Sequence, residues 1–235
     1  MTDLLHHLAV LFLVVFFPLW DRVETRRLKR SSDPRDRIRS YRLTMAWQLA
    51  LSVLLLATIP LAELFGAPAH DRVFGMAWRP GFVLAVAGGL FAGLMVPVAL
   101  ARFRPEVRAK QVAAFEAIAF VLPRTREERA WFAALCVVVG VCEEIIFRGF
   151  LIRYMLDLPW GLGTDGAVVA AALVFGLAHG YQGWTGLVGT TILALVFSVL
   201  FLATGSLWVP IVLHVLIDLR VLLLLEVEEV EAHPG

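Results

Sequence analysis

Long apolar segments dominate this 235-residue chain and restrict what it can fold into. Hydrophobic residues make up 60% of it, whereas soluble domains are typically about 45–50% apolar. Apolar stretches of about 20 residues are typical of membrane-spanning helices. The pattern predicts an all-α, polytopic membrane helix bundle. Its seven predicted spans are Leu4–Trp20, Leu43–Phe65, Gly81–Ala101, Ala130–Tyr154, Gly166–Gly180, Gly183–Ala203 and Leu207–Leu225.

Two segments between the spans determine the predicted topology. The segment from Asp21 to Arg42 contains nine Arg or Lys residues and is predicted to be a short basic loop in the cytoplasm, which places the N-terminus outside. Gln111 to Pro123 is apolar for only 13 residues and contains Glu116, so it predicts an interfacial amphipathic helix. If it enters the membrane instead, it adds a span, and the predicted number is therefore seven to eight.

Composition limits the partners and the source. The net charge is +1, and no basic patch is interleaved with aromatic residues, so nothing indicates a nucleic-acid partner. Lys29 and Lys110 are the only lysines among 21 basic residues, which suggests a high-GC bacterial gene. The predicted location is a cell membrane, crossed several times, and the bacterial inner membrane in particular.

The fourth predicted span contains Glu143, Glu144 and Arg148 in an otherwise apolar run. Charged groups at the centre of a bilayer cost about 2.5–3.5 kcal/mol each on insertion scales, so such a cluster is a candidate functional site. In an α-helix, Glu144 and Arg148 share a face and can pair, whereas Glu143 is turned away by about 100°. We therefore expect a structural role for Glu144 and a chemical role for Glu143. The alternative is a buried ion pair that only fixes helix packing.

Two later helices carry the remaining buried polar candidates. His179 follows Phe175 by four residues, and Asp218 follows His214 by four, so each pair shares a helix face. Lipid-facing positions disfavour such groups, and a common interior is where they are expected to meet. A seven-span topology nevertheless puts Glu143 past mid-depth toward the exterior and His179 near the inner end.

These motifs, Glu143-Glu144-x-x-x-Arg148, Phe175-x-x-x-His179 and His214-x-x-x-Asp218, resemble the CPBP family of CAAX proteases and bacteriocin-processing enzymes, also called the Abi family. The resemblance covers roughly residues 130–225. It implies an N-terminal part (1–129) with transmembrane helices, the basic loop and the interfacial helix, then a catalytic transmembrane core (130–225) and an acidic tail (226–235). Prenyl-protein endopeptidases carry asparagine where this chain has Asp218.

The resemblance implies an intramembrane endopeptidase of the glutamic type, whose partners are the lipid bilayer and a membrane-anchored protein or peptide substrate. Glu143 and His179 would activate water, while His214 and Asp218 would stabilise the oxyanion. Asp218 would have to be protonated to donate a hydrogen bond. Glu144, Arg148 and Phe175 would support the site.

Three alternatives stay open at this point. Glu143, His179 and His214 also form the ligand set of a zinc protease, so the expectation of no cofactor has a zinc-dependent alternative. A proton-coupled transporter would use the same buried groups as a relay. A non-catalytic membrane scaffold or immunity protein would keep the fold and bind a partner. The identity of the substrate cannot be predicted from these motifs.

Overall fold

The computed structural model describes residues 4–68, 72–159 and 161–225, and over these ranges the chain is helical without a β-strand. The prediction of an all-α fold is confirmed. The acidic tail assigned to residues 226–235 lies outside the described residues. The helices are α1 (Leu4–Arg30), α2 (Pro34–Thr58), α3 (Leu61–Phe65), α4 (Pro80–Ala101), α5 (Pro105–Ala113), α6 (Arg126–Leu156), α7 (Gly163–Ala178), α8 (Gly183–Thr204) and α9 (Trp208–Leu224).

Five helices in the described ranges are long and apolar enough to cross a membrane. They are α1, α2, α4, α6 and the helix Gly180–Thr204 that contains α8. By comparison, α7 has 16 residues and α9 has 17. Several apolar helices support a multi-pass membrane protein, while the count of seven to eight spans stays a prediction.

The basic segment from Asp21 to Arg42 is mostly helical and not an irregular loop, while its place in the cytoplasm stays a prediction. Helix α1 continues to Arg30, and α2 begins at Pro34. Asp33 caps α2 by accepting a hydrogen bond from the Arg35 amide at 2.8 Å, and Pro34 occupies the first helical position, where its missing N–H costs nothing. The break between the helices is therefore only three residues long.

The predicted amphipathic helix over Gln111–Pro123 was wrong in its position. The helix in this region is α5, which begins at Pro105 and ends at Ala113. It is followed by a single 3₁₀ turn at Glu116–Ile118 and by irregular backbone to Pro123. Proline fixes a helix start at position 105, before the apolar run on which the prediction was based.

Glycines let two pairs of helices approach closely around the polar cluster. An added Cβ at Gly140 in α6 would lie 2.7 Å from Cγ2 of Val215 in α9. An added Cβ at Gly176 in α7 would overlap Oγ1 of Thr191 in α8 at 1.9 Å. Gly140 lies one turn before Glu144 and Val215 directly follows His214, so this contact brings the two functional side chains together.

The length of α6 removes the apparent mismatch in depth between Glu143 and His179. Glu143 lies roughly 13 residues, about 20 Å, before the end of α6. His179 lies roughly 16 residues, about 24 Å, after the start of α7. Because the loop between α6 and α7 joins these two ends, both side chains lie at similar depth, and one site can contain them.

Candidate active site

Glu143 is 6% exposed, and its two carboxylate oxygens differ in their hydrogen bonding. Oε1 accepts a hydrogen bond from Nε2 of Gln48 at 2.9 Å. Oε2 is buried and has no hydrogen-bond partner among the described residues. It faces Nε2 of His179 at 3.9 Å and Nε2 of His214 at 3.8 Å. The structure therefore leaves one oxygen of this carboxylate uncommitted, next to two imidazole nitrogens.

Glu144 is fully buried and holds two side chains with one oxygen. Its Oε1 accepts from Nη1 of Arg148 at 2.9 Å and contacts Nδ1 of His214 at 2.7 Å. The expected pairing of Glu144 with Arg148 is present. The contact with His214 places the Nδ1 proton toward Glu144, because a carboxylate only accepts.

Arg148 is itself enclosed by aromatic rings. Its guanidinium lies 4.6 Å from the centre of the Phe175 ring and 5.5 Å from that of Phe197. Cation–π contacts of this kind stabilise a desolvated cation. The pair Glu144–Arg148 thereby connects α6 to α7 and α8.

His179 follows the last residue of α7 and is oriented by Phe175. The two rings stack with their centres 4.3 Å apart, as the spacing of four residues indicates. Nδ1 of His179 lies 2.8 Å from the carbonyl oxygen of Phe175, so this nitrogen carries the proton. In the neutral ring, Nε2 is then the acceptor and faces Glu143.

The two residues on α9 adjoin each other, and Asp218 is the more exposed. Oδ2 of Asp218 lies 3.7 Å from Nε2 of His214, and its side chain is 33% exposed. A cavity of about 440 Å³ connects Glu143, His179, His214 and Asp218. It extends along α1, α2 and the irregular segment after α5. All four predicted catalytic side chains therefore share one cavity, which is large enough for part of a peptide.

Reasoning from sequence missed three features of this site. Gln48 contacts Glu143 from 95 residues away, and its only signal was an amide within an apolar span. The contact between His214 and Glu144 joins residues 70 positions apart. Residues Glu144–Leu151 form π-helical turns rather than the regular α-helix assumed for the pairing. Such wide turns are frequent at functional sites.

The donor atoms of the zinc alternative do not fit a metal as they are arranged. The two Nε2 atoms face Oε2 of Glu143, but in the described part of the chain no group of three His, Cys, Asp or Glu side chains has a metal-holding arrangement. Zinc ligands lie about 2.0–2.2 Å from the ion. The residues that would hydrolyse a peptide here therefore act without a metal in this arrangement.

Comparison with known proteins gives a family match that covers this site. No curated protein and no solved structure matched the chain. Residues 125–220 match the family described as type II CAAX prenyl endopeptidase Rce1-like. This segment contains Glu143, His179, His214 and Asp218, and the family is one of proteases with protein or peptide substrates in membranes. Residues 125–220, less than half of the chain, thus resemble the Rce1-like family, which is part of the CPBP group.

Proposed function

We propose that this protein is an intramembrane endopeptidase of the glutamic type, in which Glu143 is the general base. The observation that carries the proposal is the uncommitted Oε2 of this buried carboxylate, which faces Nε2 of both His179 and His214 across the cavity. The distances from Oε2 to these two nitrogens, 3.9 and 3.8 Å, are too long for direct hydrogen bonds. They leave room for a water molecule that lies about 2.8 Å from Oε2 and from an imidazole nitrogen.

In the first step, that water attacks the carbonyl carbon of the scissile peptide bond. Glu143 takes one proton from the water as the new C–O bond forms, and His179 orients the water through Nε2. The carbonyl oxygen becomes an oxyanion, which lies toward His214 and Asp218. Nε2 of His214 donates to it when the ring carries a proton on both nitrogens, since the Nδ1 proton is committed to Glu144.

In the second step, the proton passes from Glu143 to the nitrogen of the leaving group. The C–N bond breaks, the oxyanion collapses to a carboxyl group, and an amine departs. Glu144 and Arg148 make no contact with substrate in this scheme. They hold His214 and the π-helical turns in place through the contacts at 2.7 and 2.9 Å.

The test uses Glu143→Gln, which keeps the shape of the side chain and removes the base. We expect cleavage of a membrane-tethered peptide, followed by mass spectrometry, to fall by about 10²–10⁴-fold with folding unchanged. Glu127→Gln is the matched control, since Glu127 lies in the first turn of the same helix and is exposed. Normal cleavage by folded Glu143→Gln protein would eliminate the mechanism.

The zinc-dependent version differs in one measurable property. We expect activity to survive prolonged chelation in protein shown by elemental analysis to be metal-free. Loss on chelation, with recovery on addition of zinc alone, would replace the glutamic mechanism by metal-assisted hydrolysis with Glu143, His179 and His214 as ligands.

The proposed substrate is a membrane-anchored protein or peptide, because the cavity adjoins apolar helices that face lipid. The proposed location is the bacterial inner membrane. The family match favours a protease over the proton-coupled transporter, which would take up solute without cleaving any peptide.

A further inference from the structure

Gln48 is the one side chain of α2 that bonds to the Glu143 carboxylate among the described residues. It is 1% exposed, and its Nε2 donates to Oε1 of Glu143 at 2.9 Å. It lies outside residues 125–220, the segment that matches the endopeptidase family. The N-terminal helices, which carry none of the recognised motifs, thus reach directly into the site.

The chemistry of the amide determines what this contact does. The NH₂ group of glutamine only donates, so the hydrogen bond requires that Oε1 of Glu143 accepts and carries no proton. Once Oε1 is fixed by Gln48, the remaining oxygen is the one that faces the imidazoles of His179 and His214. The contact therefore selects which oxygen of the carboxylate is available to water.

Burial of Gln48 does not stabilise the fold. Its Oε1 is buried and has no partner within the described part of the chain, and a buried polar atom without a hydrogen bond destabilises the folded state. An apolar residue of the same length would fill the space without this cost. Gln48 therefore lowers the stability of the fold, while its amide provides a hydrogen bond to the neighbouring carboxylate of Glu143.

We infer that Gln48 is a positioning residue of the proposed protease: it orients the Glu143 carboxylate so that Oε2 is presented to water. This inference rests on the proposed role of Glu143 as the base. It assigns part of the catalytic machinery to α2, and residues 1–129 are then more than a membrane anchor for the core. In this role Gln48 acts through Glu143 and transfers no proton.

The experiment replaces the amide by two side chains of similar length. Gln48→Met removes the donor, and Gln48→Glu replaces it by an acceptor next to Glu143. We expect kcat to fall about 10- to 100-fold in Gln48→Met, because small misplacements of a reacting group cost up to about 10²-fold. Gln48→Glu should lose more. KM should change by no more than about two-fold, since substrate binding is not affected.

The matched control is Ser52→Ala, one turn further along the same face of α2 and also buried. It should keep wild-type kcat. Melting of purified protein in detergent separates positioning from packing. We expect Gln48→Met to melt within about 3 °C of the wild type, whereas a purely structural residue would lose folded protein and keep kcat per folded molecule.

Each outcome decides between the two proposals. Wild-type kcat in folded Gln48→Met or Gln48→Glu protein overturns the positioning role, and so does a loss of folded protein in both variants with normal kcat in the remainder. If those variants are active while Glu143→Gln is inactive, only the inference about Gln48 fails. If Glu143→Gln is itself active, the proposed function fails first.

Discussion

Helix α6 carries two buried carboxylate clusters that α2 also contacts, and they differ in how completely their oxygens are bonded. The Glu128 cluster lies at the start of α6. There, Oε1 of Glu128 accepts from Nε of Arg37 at 2.6 Å. Its Oε2 accepts from the backbone amides of Arg124 and Thr125 at 2.7 and 2.9 Å. Both oxygens of this fully buried side chain are satisfied.

The Glu143 cluster lies about 22 Å further along the same helix. It comprises Glu143, Glu144, Arg148, His179 and His214. Here Oε2 of Glu143 and Oε2 of Glu144 are buried without a hydrogen-bond partner among the described residues. Stability alone would favour a hydrogen-bond donor for each of these oxygens, as Glu128 has, because a buried oxygen without a partner destabilises the folded state.

The contrast separates a structural acid from a reactive one. A fully buried carboxylate whose two oxygens both accept hydrogen bonds, as in Glu128, has no free oxygen to offer a substrate or a water molecule. Glu143 keeps one oxygen free beside two imidazole nitrogens and adjoins a cavity. Glu144 lies between the two cases, since one of its oxygens holds both Arg148 and His214.

Glu144→Gln should have the largest combined effect. It leaves the guanidinium of Arg148, which is 1% exposed, without its counter-charge, and loss of one partner of a buried pair costs about 3–5 kcal/mol. It also replaces the charged acceptor of His214 by a neutral amide oxygen, which holds the imidazole more weakly. We expect lower yield of folded protein and lower kcat in what remains, measured by detergent melting and peptide cleavage. Wild-type activity and stability in this variant would contradict the assigned roles.

Arg37→Met should affect stability alone. The free energy of unfolding is expected to fall by about 3–5 kcal/mol, since Glu128 loses a partner within a pair whose side chains are 4% and 0% exposed. Activity per folded molecule should not change. Arg35→Met is the control, since Arg35 is exposed on the same helix. A loss of kcat in folded Arg37→Met protein would merge the two clusters into one functional unit.

Thr125→Ala should give the smallest effect. Thr125 caps α6 by accepting from the Glu128 amide at 3.2 Å, while Glu128 bonds back to the Thr125 amide. Removal of such a cap costs about 1 kcal/mol, and the free energy of unfolding should fall by that amount with kcat unchanged. A chemical denaturation series in detergent would measure it. No change in stability would mean that the cap does not contribute.

The sequence predicted those parts of the site that depend on local spacing. Glu144 with Arg148, and Phe175 with His179, are each four residues apart and make the contacts that helix periodicity indicates. Apolar run length likewise placed the long helices near their observed positions. These features could be predicted because each depends on one helix only.

The remaining contacts could not be predicted, because they join helices that are distant in sequence. Gln48 meets Glu143 across 95 positions, and Arg37 meets Glu128 across 91. Which residues face each other there depends on how closely the helices approach, as at Gly140 and Val215. The basic segment after Trp20 was predicted as a loop since its charge favours water, yet Arg, Lys and Glu are also good helix formers.

The most direct test compares Glu143→Gln with Glu128→Gln, by measurement of cleavage rate per folded molecule and melting temperature for each. The account predicts opposite outcomes: Glu143→Gln stays folded and loses about 10²–10⁴-fold in rate, while Glu128→Gln loses stability and keeps its rate. If folded Glu143→Gln protein still cleaves peptide, or if Glu128→Gln stays folded but inactive, the division between structural and reactive carboxylates is wrong.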